Sequence, residues 1–166
     1  MARSAKKGSS RDPNQKIIAT NRRARHDFEI LDTWECGLVL RGSEVKALRE
    51  STVQIAEAYA RVQNHEAWLH SLYITPYSHA SDAFAHDPDR PRKLLLHRRE
   101  IDEIADRLDR EPLTLVPLAL YFVNGRAKIE MGLARRKHKA DKRADIAKRD
   151  ADREARRALS DSLKGR

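Results

Sequence analysis

Cysteine is almost missing from this chain: Cys36 stands alone among 166 residues. One thiol excludes an internal disulfide framework and a CxxC metal knuckle, and its plain reading is a buried thiol in a reducing cytoplasm. No apolar run approaches the ~20 residues needed to span a bilayer. The first residues carry charge with no apolar signal-peptide core behind them, so a soluble, cytoplasmic protein is expected. Catalytic signatures are also lacking: there is no HExxH, GxSxG or P-loop. The chain has seven histidines, but His79 and His86 find no third or fourth metal ligand nearby, and DPD at 87–89 reads as a turn cap. These absences argue against an enzyme, a metal site or a bound cofactor.

What the chain does have is charge, unevenly placed. Residues 1–25 carry eight Lys/Arg and one Asp, a net +7; residues 135–166 carry thirteen and six, again +7. The stretch 26–134 between them nets −5. A mildly acidic body with a basic extension at each end points to a polyanion as partner, nucleic acid first. An anionic membrane is disfavoured, because the tail offers almost no Trp, Phe or Leu to insert.

Residues 1–16 are small, polar and basic, and read as a disordered arm. Apolar alternation begins in HDFEILDTW with Phe28 and Ile30, then resumes in CGLVLRG, a second short strand bracketed by Gly37 and Gly42. SEVKALRE reads as a short helix capped by Ser43. AYARVQNHEAWLHSLYI reads as a hairpin joined at Asn64–His65, and residues 78–92 as a surface loop. LLLHRREIDEIADRLDRE places Leu96, Ile101, Ile104, Ala105 and Leu108 on one helical stripe. In LTLVPLALYFVNGRAKIEMGLA, Asn124–Gly125 is the strongest hairpin signal, and Pro117 argues for a bulge or an edge. Six short strands in so small a body favour a closed or nearly closed antiparallel OB-like barrel over residues 17–134, the alternative being an open α+β sheet with helices on one face.

Residues 135–166 form a basic tail whose large apolar side chains are only Ile146, Leu159 and Leu163. Alanines at 140, 144, 147, 151, 155 and 158 keep a helical period. Pairs such as Asp145 with Arg149 add only ~0.2–0.5 kcal/mol each, so the helix is expected to order on a partner rather than alone.

Two stretches carry the nucleic-acid reading. NRRARHDF groups Arg22, Arg23 and Arg25 with His26, and planar guanidiniums suit phosphate contacts and base stacking. RPRKLLLHRRE sets three leucines between cations, including Lys93; two should face the core while a third packs against an unstacked base. A general single-stranded nucleic-acid-binding OB protein would share these features but should bring more exposed aromatics. A basic-tailed ribosomal protein is the remaining alternative.

Taken together and in order, IIATNRRARHDFEI, WECGLVLRGSEVKALRE, EAWLHSLYITPY, DPDRPRKLLLHRREID, LVPLALYF and HKADKR resemble the SsrA-binding protein family, the bacterial partner of transfer-messenger RNA. The resemblance covers nearly everything from Ile17 to the start of the tail. It implies an OB-like barrel with about three helices and a C-terminal tail disordered in the free, monomeric protein. It also implies binding to the tRNA-like domain of transfer-messenger RNA and delivery to the vacant A site of a stalled ribosome, with the tail in the empty mRNA channel of the small subunit. No catalysis, cofactor or membrane is involved.

By matching positions the resemblance places Asn21, His26, Glu35, Leu96 and Lys128 on the RNA-facing surface, beside Arg22, Arg23, Arg25 and Lys93. It places Asp141, Lys142, Arg143, Ile146 and Arg149 in a ribosome-binding tail together with Lys137 and Lys139. A carboxylate repels phosphate. Glu35 is therefore expected to accept hydrogen bonds from base amino groups or ribose hydroxyls, or to hold a neighbouring Arg.

Overall fold

The computed structural model describes residues 14–50, 52–79, 81 and 85–164. Among these, nine strands and four helices follow in the order β1 (Gln15–Thr20), α1 (Arg22–Asp27), β2 (Phe28–Leu38), α2 (Gly42–Glu50), β3 (Val53–Gln54), β4 (Tyr59–Gln63), β5 (Glu66–His70), β6 (Tyr73–Ile74), β7 (Arg92–Leu95), α3 (Arg98–Arg110), β8 (Thr114–Val123), β9 (Arg126–Arg136) and α4 (Lys139–Lys164). No helix among the described residues is long and apolar enough to cross a membrane. The chain divides into two compact units, residues 1–135 and 136–166.

In the first unit seven strands pair in the order β1-β8-β4-β5-β7-β2-β9, with β9 also beside β8, and β3 pairs with β6 separately. The strands curl round one core, but the ladders do not close the barrel. β4 meets β8 through the single pair Ala60–Leu115, and β2 meets β7 only at Gly37–Leu95 and Leu38–Leu94. Two tight turns set the register. Asn64 and His65 stand at φ 49° and 60°, and Asn124 and Gly125 at 49° and 77°, the left-handed pair that matches strand twist in a two-residue hairpin. Pro117 lies in an interior strand, so it is not an edge residue; the register slips between Pro117 and Ala119, and the bulge takes up its missing N–H.

Several elements differ from the sequence reading. Phe28–Leu38 is one strand rather than two, because Gly37 continues the ladder instead of breaking it. Gln15 and Lys16, read as the end of an arm, begin β1 and pair with Val123 and Phe122 of β8. Residues 1–13 lie outside the described residues. Arg92–Leu95 is a strand, and the helix expected from Leu94 starts at Arg98, after Glu100 Oε2 accepts the His97 amide at 2.9 Å. α2 is likewise started by a carboxylate reaching back, Glu44 Oε2 to the Arg41 amide at 2.7 Å, and not by Ser43.

Glu44 has a second duty. Its side chain and that of Arg92 are fully buried, with Arg92 Nε at 3.0 Å and Arg90 Nε at 2.8 Å from the same Oε1. The remaining Arg92 nitrogens donate to the carbonyls of Leu72, Arg90 and Pro88, so every nitrogen of the buried guanidinium has an acceptor. This network fastens α2, β7 and the segment before it beside the main core of Leu69, Leu72, Ile74, Leu94, Ile104, Leu115 and Leu133.

The second unit is a helix over 26 residues, α4, in the chain by itself, where the tail was expected to be disordered when free. The length exceeds the ~12–15 residues below which isolated helices are marginal, and the alanine stripe has the highest helix propensity. Local bonds help at its start: the His138 amide donates to Asp141 Oδ2 at 3.3 Å, and Lys137 pairs with Asp145. The expected carboxylate pair of Asp145 with Arg149 does not form. Arg149 donates instead to the Asp145 carbonyl at 3.4 Å.

Candidate nucleic-acid interface

Asn21 caps α1, and the cap uses the whole side chain. Its Oδ1 accepts the Ala24 amide at 3.0 Å, and its Nδ2 donates to the Pro117 carbonyl at 3.0 Å and the Ile55 carbonyl at 3.5 Å. Asn21 is 4% exposed, so the side chain expected on the RNA-facing surface is instead buried, and its bonds position α1. Ala24 packs on Val116, Leu118 and Ala134, and this turns Arg22, Arg23 and Arg25 outward. Arg23 is tied to Glu57 at 2.7 Å and Asp27 at 3.3 Å. His26 Nδ1 lies 3.0 Å from Asp27 Oδ1. A carboxylate only accepts, so the ring holds its proton on Nδ1 there and Nε2 is the polar atom that remains.

Glu35, Lys128 and Tyr121 form one set. Lys128 Nζ donates to Glu35 Oε1 at 2.5 Å and Tyr121 Oη to Glu35 Oε2 at 2.7 Å. Tyr121 and Lys128 are direct partners across β8 and β9, so the hairpin register delivers both groups to the carboxylate. The bonds from Lys128 and Tyr121 hold the Glu35 carboxyl below its ordinary range, while burial and the Glu35 carboxylate push the Tyr121 phenol up. Glu35 thus holds a neighbouring cation, a lysine and not an arginine. It acts as the clamp that aims Lys128.

A similar clamp sits on the next strands. Lys93 donates to Glu66 at 2.5 Å, and Lys93 first, with Trp68 adding to it, holds this carboxyl below its ordinary range. Beside it the three leucines separate by strand alternation. Leu94 is buried at 1%, Leu96 is half-buried against the core, and Leu95 is 53% exposed. Two of the three do face inward. The outward one is Leu95, so the open surface expected at Leu96 belongs to its neighbour. Reading RKLLL as strand instead of helix would have found it, since period two alone puts Leu95 opposite to Leu94 and Leu96. Tyr121, Glu66 and Trp68 escaped the sequence reading because their roles depend on cross-strand partners.

In α4, Lys142, Ile146 and Arg149 stand at i, i+4 and i+7 and so share one side of the helix, with Lys139 at its edge and Asp141 and Arg143 flanking. Ile146 is 45% exposed there. The alanines occupy the opposite side. Lys137 precedes the helix and is committed to Asp145, whose carboxyl it holds below the ordinary range.

Comparison with known proteins bears on the whole chain. A family model described as SmpB protein matches residues 18–161. The SsrA-binding protein of Corynebacterium efficiens is 52% identical over 161 residues, covering 97% of this chain and 98% of the relative. That of Mycobacterium sp. (strain KMS) is 49% identical over 163 residues, 98% and 96% of the two chains. That of Roseiflexus castenholzii is 51% identical over 147 residues, 89% and 93%. A solved chain from "tmRNA-SmpB: a journey to the center of the bacterial ribosome" superposes with a TM-score of 0.62 at 47% identity, covering 74% of this chain and 85% of that one. With the match running from β1 far into α4 and about half the residues shared along nearly the full length, this chain belongs to the SmpB protein family.

Proposed function

We propose that the chain binds the tRNA-like domain of transfer-messenger RNA and delivers it to stalled ribosomes, where the nascent chain is tagged and the ribosome released. The observation that carries this is the relationship to SsrA-binding proteins at about half identity over nearly the whole length. The site chemistry agrees with it. Exposed guanidiniums on α1 and the clamped Lys128 offer phosphate contacts, while Leu95 offers an apolar surface for an unstacked base.

In this reading the RNA face comprises Arg22, Arg23, Arg25, His26, Lys93, Leu95 and Lys128, with Asn21 and Glu35 as positioning residues. α4 enters the empty mRNA channel of the small subunit with the Lys142–Ile146–Arg149 side toward ribosomal RNA. The protein works as a cytoplasmic monomer and performs no catalysis itself. Sequencing the RNA that copurifies with the tagged protein tests the proposal. One enriched structured RNA carrying a tRNA-like end is expected. A random population of single strands would overturn it in favour of a general single-strand binder.

A further inference from the structure

The outer face of β4, β5 and β7 bears a row of side chains of which only Lys93 and Leu95 belong to the RNA face proposed above. Ala60, Ala67, Leu69 and Leu94 point into the core at 5% exposure or less, so their neighbours Tyr59, Arg61, Trp68, His70, Lys93 and Leu95 alternate outward. Cross-strand pairing puts Arg61 opposite Trp68, and Trp68 opposite Lys93. The Tyr59 and His70 rings stack with centroids 5.4 Å apart, 18° from parallel. The Arg61 guanidinium lies 5.3 Å from the Tyr59 ring centroid.

Two features single this row out. Aromatic rings alternate with cations, the composition that binds single strands by stacking bases while cations follow the phosphates. A core-like protein interface would instead be depleted of charge. The second feature is the repeated clamp. Glu66 holds Lys93 as Glu35 holds Lys128, a carboxylate fixing one lysine in each case, and each lysine has an aromatic as its cross-strand partner, Trp68 and Tyr121. The two clamps are joined across the sheet. Leu95 pairs with Gly37 on β2, two residues from Glu35, while the Ala67–Leu94 register sets Glu66 opposite Leu95.

We propose that Trp68, with Arg61 and Lys93 on either side, is a nucleobase-stacking site that takes unpaired bases of the same RNA that is bound at the Glu35 face. This rests on the function proposed above. Trp68 supplies the ring face, Arg61 and Lys93 meet the flanking phosphates, and Glu66 keeps Lys93 from rotating away. Glu66 is a positioning residue. Trp68 is the contact.

The full-length W34F variant leaves Trp68 as the sole tryptophan. Titrating it with a transcript of the tRNA-like domain should quench its fluorescence in step with binding measured by gel shift. In the otherwise unaltered chain, Trp68→Ala should weaken binding about 5- to 150-fold, the range expected for one lost stacked base. Trp68→Phe, which keeps a ring face, should recover most of the loss. Glu66→Gln should weaken binding a few-fold through the loosened Lys93, with the Trp68 quenching retained. Should the parent bind the transcript while Trp68 fluorescence stays unmoved and W68A binds as well, the stacking site is overturned and the proposed function stands. Equal losses for W68F and W68A without quenching would also overturn it, since packing alone would then explain both. Failure of the parent to bind the transcript at all would sink both readings together.

Discussion

A methyl group placed on Gly37 would stand 3.1 Å from the Cβ of Leu95. Leu95 therefore lies across a strand position where an alanine would be tight, so that the two strands would have to part by a few tenths of an ångström. Cβ of Leu95 cannot swing aside by a rotamer change, because it moves only with β7, held between β5 and β2. Gly37→Ala sets two effects against each other. Alanine in a strand relieves roughly 0.5–1 kcal/mol of backbone entropy cost, and overpacking costs about 1–3 kcal/mol. A net loss of ~1 kcal/mol in urea unfolding is expected, with RNA affinity reduced because Leu95 is displaced. Affinity unchanged by gel shift would mean that Leu95 is not a contact.

Adjacent leucines should separate function from packing. Leu95→Ala removes an exposed side chain and should change stability by no more than about 0.5 kcal/mol while weakening RNA binding. Leu96→Ala opens space against the core and should cost about 1–3 kcal/mol, less than a fully buried Leu→Ala, with affinity for RNA retained in the folded fraction. Urea melts and gel shifts on the pair decide it. The reverse pattern would restore Leu96 as the contact.

At the Glu35 clamp, charge and positioning can be told apart by salt. Lys128→Ala removes a phosphate contact and should flatten the log–log dependence of binding on salt by about 0.9 or less. Glu35→Gln leaves the lysine in place but weakens its anchor, so affinity should fall a few-fold with the slope unchanged. Stability should move by no more than ~1 kcal/mol in either variant, as for other partly exposed pairs. A Glu35→Gln variant that binds more tightly would show that the carboxylate acts chiefly by repelling phosphate.

Local patterns were legible from the chain alone where one element decides them. The Asn64–His65 and Asn124–Gly125 turns and the amphipathic stripe of α3 follow from short-range chemistry; the turns stand where the sequence put them, and the stripe does so from Ile101 onward, without Leu96. Legibility failed where a distant strand decides. Gly37 reads as a strand end until Leu95 is laid across it, and Gln15 and Lys16 read as the end of an arm until β8 pairs with them. Asn21 resembles a surface contact until the carbonyls of Ile55 and Pro117 are placed within its reach. The cationic composition of the interface was visible. Of the carboxylates that aim it, Glu35 was visible only as a charge out of place beside RNA, and Glu66 was not visible at all.

Glu44 tests the opposite case, an ion group that serves the fold. Burial alone would raise its carboxyl, but hydrogen bonds from Arg90 and the Arg41 amide, with the charges of Arg92 and Arg90, outweigh that and hold it below 4.5. A depressed carboxylate contributes stability that is complete above its unfolded pKa and is lost as pH falls through the folded one. Stability should therefore decline below about pH 4.5 as Glu44 protonates. Glu44→Gln at pH 7 strands the buried Arg92 charge and should cost about 3–5 kcal/mol in urea unfolding. It should also remove part of the acid-dependent loss. A variant as stable as the parent would mean that the Leu72, Arg90 and Pro88 carbonyls alone satisfy Arg92.

In the tail, shape and chemistry lie on opposite sides of one helix, so they can be changed separately. Ala147 belongs to the alanine side of α4, away from Lys142, Ile146 and Arg149. Proline there deletes the amide that bonds one turn back and clashes with that turn, costing ~3 kcal/mol in the helical state. Since α4 is helical in the chain by itself, circular dichroism of the protein without RNA should show the loss directly. The melting of the body and its affinity for the tRNA-like domain should not change. Ala147→Ser, which costs only a few tenths of a kcal/mol, is the control. The double variant Lys142→Ala with Arg149→Ala keeps or raises helix propensity while it strips cations from the other side. Tagging of a stalled nascent chain in a reconstituted translation system should fall sharply for the proline variant and for the double variant, and hold for the serine control. A proline variant that loses helix yet tags like the parent would mean that the tail works as an extended basic strand. The double variant alone would then report what the ribosome reads.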